Sequence, residues 1–495
     1  LSPAAGGSSN AAAAYDNRRR WQALGVGLVA AFMTLLDISI VNVAIPSLEH
    51  ALRAGPSDLQ WVLSGYALAF GLVLVPAGRF GDVRGRRNTF VFGVGLFTLT
   101  SALAGLAQSP GWLIAARLLQ GAAAGLVNPQ VTGLIQQLFQ GAERARPFGL
   151  LGATIGISTA VGPLLGGLLI AAGGPDHGWR WVFFVNVPVG VVAVLLGLRL
   201  LPGRPPGRAA PARRDPVGVT LLAVGVTLVL LPLMQREQWH GPVKWLLLPA
   251  GLIALAGFGL WERRYARQGA PLFDVRLFGR KSYTLGSVIA LIYFGGFSAI
   301  FFIFTLYLQS GRGYSALVAG LAITPFALGS AVASAVGGRI VNRFGRPLVA
   351  VGLLTVVVGL GLVALAIELA PHAPVPWVTA APLLLAGIGS GLVIAPNQTL
   401  TLSQVPVPQA GSGAGMLQTG QRIGSAVGIA VVGAVFFSAV TAGNDAWSRA
   451  FERSLLVSAG IIALALLVAL ADLTHREKRK EGPPINASRR GGAPS

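Results

Sequence analysis

Fourteen apolar runs, each long enough to cross a bilayer as a helix, alternate along the chain with short polar or charged segments. No other feature constrains the fold as tightly. A helix rises about 1.5 Å per residue, so roughly twenty apolar residues cover the ~30 Å of a hydrocarbon core. The runs lie near 22–45, 58–77, 88–107, 111–136, 148–171, 180–199, 216–235, 243–261, 282–308, 316–337, 347–369, 377–400, 411–438 and 453–471. Such segments must be helices, because hydrocarbon offers no partner to an open backbone. Composition agrees: 11% of residues are charged, against roughly 25% in soluble domains.

An even number of spans puts both termini on one side. Segments on that side hold 29 of the 38 Lys and Arg, and the loops opposite hold seven. Short basic loops stay in the cytoplasm, so both termini are expected to be cytoplasmic. The Ala-, Gly- and Arg-rich composition points to a bacterium, hence to a multi-pass protein of the bacterial cytoplasmic (inner) membrane. One cytoplasmic loop, 401–410, has no basic residue; its break rests on Pro406 and Pro408. The formal charge of +21 is concentrated in the loops, where it fits topology and anionic lipid headgroups rather than nucleic acid. The absence of cysteine excludes disulfides and thiolate metal sites. No histidine stands at ligand spacing, no phosphate-binding glycine–lysine loop is present, and no nucleophile–base–acid set is visible. Neither a metal centre, a cofactor, ATP-driven pumping nor an enzyme is expected.

The expected organisation is a disordered N-terminus (1–21), a six-helix half (22–199), linker loops with two additional helices turning at Gly241-Pro242 (200–281), a second six-helix half (282–471) and a polar tail (472–495). The halves echo each other. The turn Gly78-Arg79-Phe80-Gly81-Asp82-Val83-Arg84-Gly85-Arg86-Arg87 aligns without a gap with Gly338-Arg339-Ile340-Val341-Asn342-Arg343-Phe344-Gly345-Arg346-Pro347, and the acid Asp82 becomes Asn342. Each turn follows the second helix of its half. A second echo joins GAAAGLVNP at 121–129 with GIGSGLVIAP at 387–396. Repeated halves around a central cavity are an architecture of secondary transporters. Glycines allow the sharp turn, and Asp82 is expected in an ion pair or at a helix end.

Inside the spans, Asp37 stands in the middle of the first helix. A lone carboxylate there must pair, face a polar cavity or take a proton, and Asn42 is expected in the same polar cluster. Arg117 is the natural counter-charge, although its position near the outer end of span four also permits it to reach the headgroups. A second intramembrane arginine, Arg422, lies deep in span thirteen, where it needs a partner or a function. Asn128, Gln130, Gln136, Asn186, Gln309, Asn397, Gln398 and Gln404 supply neutral polarity, part of it to a cavity. The ring-rich stretch 293–307 suits a greasy ligand or lipid equally. In span five, Ser158, Gly162, Pro163, Gly166 and Gly167 form a packing and hinge device, small residues permitting close approach and Pro163 a bend.

Together these residues resemble the major facilitator superfamily, specifically its fourteen-helix drug:proton antiporter group. The similarity extends from about 22 to 471. The turn at 78–87 resembles the family's signature between helices two and three, whose acid and arginines are thought to latch helix ends. That resemblance assigns a conformational latch to Gly78, Asp82, Arg84, Gly85, Arg86 and Arg87, with Asn342, Arg343 and Arg346 in the second copy. Leu36 to Pro46 resembles the first-helix motif. Arg117, Gln120 and Gly121 resemble the fourth-helix motif linked to proton coupling, and Gly162-Pro163 with Gly166-Gly167 the fifth-helix antiporter motif; Ser158 stands where glycine is usual. The resemblance implies an all-α membrane bundle of two six-helix halves plus an inserted central pair. The implied function is a monomeric exporter that exchanges protons, its coupling ion, for hydrophobic or amphipathic compounds. Asp37, Asn42, Arg117, Gln120 and Arg422 are its candidate coupling or cavity residues. Cationic drugs are the family default, but carboxylates are scarce in the spans, so a neutral or anionic compound, including a lipid or an endogenous antibiotic, is credible too. A dedicated lipid or metabolite exporter, or a non-transporting sensor on the same fold, are the alternatives.

Overall fold

The computed structural model describes residues 17–203, 215–234, 239, 241–267, 271–370, 373–440 and 446–480. Among these, fourteen long helices follow one another: α1 (Asn17–Leu52), α2 (Pro56–Arg84), α3 (Arg86–Gly105), α4 (Pro110–Leu138), α5 (Ala145–Phe184), α6 (Asn186–Leu200), α7 (Pro216–Met234), α8 (Leu247–Tyr265), α9 (Lys281–Leu306), α10 (Ala316–Phe344), α11 (Arg346–Leu369), α12 (Val375–Leu402), α13 (Ala410–Val440) and α14 (Ala446–Lys480). Among the described residues, thirteen segments are long and apolar enough to cross a membrane. The helix that falls short is α4, which carries Arg117, Gln120, Asn128, Gln130, Gln136 and Gln137. Its polar side chains are mostly buried among other helices, so lipid never meets them.

The fold is the expected one, two six-helix halves with an inserted pair, and differs in detail. Helix α1 begins at Asn17, inside the stretch expected to be disordered, and α14 runs to Lys480, because its Glu, Arg and Lys residues favour helix. The expected disorder over 1–16 and beyond 480, and most of the loop 200–215, lie outside the described residues. In α5 the backbone stays helical through Pro163 and leaves helical torsions at Gly174, whose φ of 76° suits glycine. The fifth span therefore ends at Gly174, and the sixth runs from His177 to Leu200 across a break at Val185. The break at 403–406 stands where its prolines put it.

Within one half, α1 packs on α5 and α2 on α4; within the other, α10 packs on α12 and α9 on α13 and α14. Two seams join the halves: α10 against α5 and α13 against α2. The inserted helices α7 and α8 pack on each other, and α7 leans on both α2 and α13. The pair thus sits beside a seam. Gly85 and Gly345, at matching places in the repeated turns, both have positive φ (103° and 60°). Each is the single residue between two antiparallel helices, a conformation that L side chains resist.

Candidate transport site

Asp37 on α1 is fully buried and fully paired. Its Oδ2 accepts from Arg117 at 2.5 Å, and its Oδ1 accepts from the side-chain amides of Gln120 and Asn186, each at 3.0 Å. Arg117 is itself 1% exposed. Its Nε donates to the Val62 carbonyl at 3.1 Å and its NH1 also to Gln120 Oε1 at 2.8 Å. The guanidinium lies over the Tyr66 ring, 4.2 Å from its centre. Four helices, α1, α2, α4 and α6, therefore converge on one ion pair. Removing either partner of a buried pair of this kind costs about 3–5 kcal/mol, since the other charge is left unpaired in low dielectric.

Arg117 thus meets Asp37 rather than the headgroups. Counted from the shared outer edge, Asp37 lies eight residues inside the expected end of its run at 45 and Arg117 six inside the expected start of its run at 111. At about 1.5 Å per residue these depths nearly match. Asn42 is not in the cluster. Five residues beyond Asp37 it stands about 140° round the helix, and it is exposed. Asn186, one of several neutral candidates in the sequence, is in its place, held also by Ser101 Oγ at 3.1 Å; the available signal was a lone amide in the otherwise apolar stretch 181–198.

Arg422 on α13 stacks on Phe70 of α2, 4.3 Å from the ring centre. Among the described residues it makes no ion pair or hydrogen bond. Tyr66 lies within electrostatic reach of Asp37, Arg117 and Arg422, so the region carries one negative and two positive side chains.

The repeated turns lie at one end of the bundle, where each closes on the other half. Gly78 of α2 sits so near Gly411 of α13 that a β-carbon would overlap that backbone. Four residues on, Asp82 accepts from Gly411 N at 3.0 Å, Ser412 N at 2.9 Å and Ser412 Oγ at 3.3 Å. It caps the start of α13, where free N–H groups and the helix dipole favour an anion. Arg86 bonds Asp82 Oδ1 at 2.8 Å, and it also reaches the carbonyls of Val407 at 2.6 Å and Gly133 at 3.0 Å. In the second copy, a β-carbon on Gly338 would overlap Ala145 and Gly149 of α5. Asn342 there donates to the Ala142 carbonyl at 2.8 Å. Arg346 stays in its own half, on Asn397 and Ser282.

Three further latch candidates, like Arg346, do not cross the seam. Arg84 stacks on Phe80 and Arg343 on its neighbour Phe344, both exposed. Arg84 lies two residues, about 200°, from Asp82 round the helix, so it faces away. Arg87 donates to the Leu198 carbonyl of α6 in the same half.

In α5, Ser158, Gly162 and Gly166, spaced four apart, form the stripe that meets α1. Ser39 Oγ donates to the Ser158 carbonyl at 3.1 Å, and β-carbons on Gly162 and Gly166 would press on Ser39 and Ile40. Pro163 and Gly167 face α10 instead: a β-carbon on Gly320 would lie 2.7 Å from Pro163 Cβ, and one on Gly167 3.9 Å from Leu317. The motif is thus wedged between the two halves.

The sequence matches the Major Facilitator Superfamily over residues 27–429 and 286–491. It is 37% identical over 464 residues to a probable actinorhodin transporter of Streptomyces coelicolor, covering 92% of this chain and 79% of that one. It is 36% identical over 431 residues to the puromycin resistance protein of Streptomyces alboniger, covering 86% and 83%. Its fold is similar to that of the human organic anion transporter MFSD10, with a TM-score of 0.67 at 16% identity, over 91% of this chain and 99% of that one. With these motifs and fourteen helices, the chain belongs to the major facilitator superfamily, in its fourteen-helix drug:proton antiporter group.

Proposed function

We propose that the protein is a proton-coupled exporter of hydrophobic or amphipathic small molecules, working by antiport across the bacterial cytoplasmic membrane. The observation that carries this reading is the Asp37 ion pair: a mid-membrane carboxylate held entirely by side chains of two other helices, α4 and α6. A proton arriving at Asp37 discharges it, and Arg117 then loses its counter-ion. The restraint between α1, α4 and α6 weakens with it, so occupancy by a proton biases the equilibrium between two arrangements of the helices.

In this reading the end with the repeated turns faces the cytoplasm, as the basic loops require, and the conformation described has that end shut. The latch consists of Gly78 and Asp82 against α13, Arg86 on Asp82 and on Val407 just before α13, Gly338 against α5 and Asn342 on Ala142 just before it. Ser158, Gly162, Pro163, Gly166 and Gly167 are the surface on which α5 pivots between α1 and α10. Relatives named for antibiotic export and resistance support a drug or antibiotic as cargo. Asp37 is neutralised by Arg117, which leaves Arg422 as the uncompensated charge, so an acidic or neutral compound is favoured over a permanent cation.

The test is purified protein in liposomes with an imposed proton gradient. Internal pH is followed while an acidic aromatic antibiotic, a neutral drug, a lipophilic cation or a fluorescent phospholipid is added. Substrate-dependent proton flux that is lost in Asp37→Asn supports the reading. Flux with the phospholipid alone would make the protein a lipid exporter, and binding without flux would make it a sensor.

A further inference from the structure

The inserted pair carries a feature that the Asp37 site does not use. Asp215, immediately before α7, and Glu262, in the last turn of α8, face each other; Asp215 is 7% exposed and Glu262 fully buried. Asp215 Oδ1 accepts from Gly218 N at 2.8 Å and Trp261 Nε1 at 2.9 Å. Glu262 Oε2 accepts from Phe273 N at 3.3 Å. The other two oxygens, Asp215 Oδ2 and Glu262 Oε1, are buried and have no donor. Both point at one spot: a β-carbon on Gly218 would lie 2.5 Å from each. Glycine is what keeps that spot clear. The two carboxyls are within hydrogen-bonding reach of one another, yet two carboxylates can only accept.

Among the described residues, no cation resolves this. Arg263 and Arg264 on α8 and Arg267, Arg276 and Arg280 on the connecting segment are exposed, and Tyr265 stacks on Trp261. From the other packed elements, Arg79 and Arg84 of α2, Arg422 of α13 and Lys281 of α9 make no bond to either carboxyl, and Asp82 is committed to α13. Asp274 is turned to Arg276 N and Gln409. Asp215 is the charged group that acts on Glu262. Two buried like charges with an orphan oxygen each are satisfied together by one proton between them.

We propose that Asp215 and Glu262 form a second proton-binding site, and that its proton strengthens the latch. The route is continuous. Glu262 holds Phe273 N; the next residue, Asp274, accepts from Gln409 Nε2 at 3.3 Å; the Gln409 carbonyl accepts from Ser412 Oγ at 3.1 Å; and Ser412 is bound by Asp82. Leu272, Phe273 and Leu277 of the same segment are buried in the core that includes Tyr283 and Leu417. With the proton in place, α7, α8 and this segment are clasped, and the start of α13 is held where Asp82 caps it. Loss of the proton sets two buried carboxylates against each other, parts α7 from α8, and loosens residues 409–412. Alkaline conditions on the latch side then favour the open latch, whatever the cargo and whether or not Asp37 carries the transported proton.

Two measurements on the full-length protein in lipid nanodiscs test this. The first is infrared titration of the protonated-carboxyl band. The parent should hold such a band at neutral pH, and Glu262→Gln and Asp215→Asn should each remove it while Asp37→Asn does not. The second is the distance between nitroxides attached at Asn88→Cys and Ser403→Cys, exposed positions on opposite sides of the latch. In the parent the distance should lengthen as pH rises. Glu262→Gln, which replaces the shared proton with a fixed amide donor, should hold it short across the range. A parent with no protonated-carboxyl band at neutral pH overturns the site. A pH-dependent distance that is unchanged in Glu262→Gln overturns the coupling. If Asp215→Asn does not fold, the isosteric Glu262→Gln decides both points.

Discussion

Replacing Asp82 with asparagine should open the latch end. The carboxylate binds two backbone N–H groups and one hydroxyl at the start of α13, across the boundary between halves, at 2.9–3.3 Å. Hydrogen bonds to a charged group are worth about 1.5–3 kcal/mol each. An amide keeps one acceptor oxygen, so at least one charged bond is lost and those that remain become neutral. The interaction of a negative charge with a helix start, about 0.5 kcal/mol or more, disappears as well. The sum is about 3 kcal/mol against the closed state, or roughly a 150-fold change in the closed-to-open ratio. A parent closed at about 99 to 1 would come to rough parity. The chain has no cysteine, so spin labels at Asn88→Cys and Ser403→Cys report those positions alone. Pulsed electron resonance should show one short distance in the parent and a second, longer population of comparable weight in Asp82→Asn. Gly78→Ala should do the same by collision with the Gly411 backbone. A distribution in Asp82→Asn that superimposes on the parent would refute the reasoning, because closure would then rest on packing and not on the carboxylate.

Further outcomes follow from the same geometry. Asp37→Asn should lower the unfolding free energy by about 3–5 kcal/mol through the stranded Arg117, read by thermal unfolding in detergent; adding Arg117→Gln should recover most of that stability and none of the proton flux. Gly162→Ala places a methyl against Ser39 and should cost about 1–3 kcal/mol, with Ser39→Ala in the same chain restoring part of the unfolding temperature. Arg422→Gln should weaken binding of an acidic aromatic compound at least tenfold and leave a lipophilic cation within about twofold, measured by fluorescence quenching; equal losses for both would remove Arg422 from the cavity.

The helices were legible because bilayer thickness imposes a length and water imposes charged breaks. Even the polar α4 could be placed, since its neighbours in sequence fix where it must return. The Asp37–Arg117 contact was within reach too, given equal depths from one edge, yet sequence alone does not say which faces of α1 and α4 oppose. That same gap in azimuth is why Asn42 stood in for Asn186. Glycine-defined features transferred well: Gly85 and Gly345 are demanded by backbone torsion, a local property. The partner of Asp82 was out of reach. It lies 329 residues away in the chain, and its attraction comes from bare amides at a helix start, which no residue type announces. The Asp215–Glu262 pair was hidden for a related reason, because both acids stand beside basic loops that read as ordinary solvated ends.

The two seams were built from one repeated turn and no longer match. One is fastened by a carboxylate on free amides, the other by a single neutral amide on a carbonyl. In the proposed exporter this inequality predicts an order of opening: the bond from Asn342 to Ala142 breaks before the charged contacts of Asp82 do. With Asp82 at one turn and Asn342 at the other, the proposed latch has a bolt on one seam and only a leaf on the other.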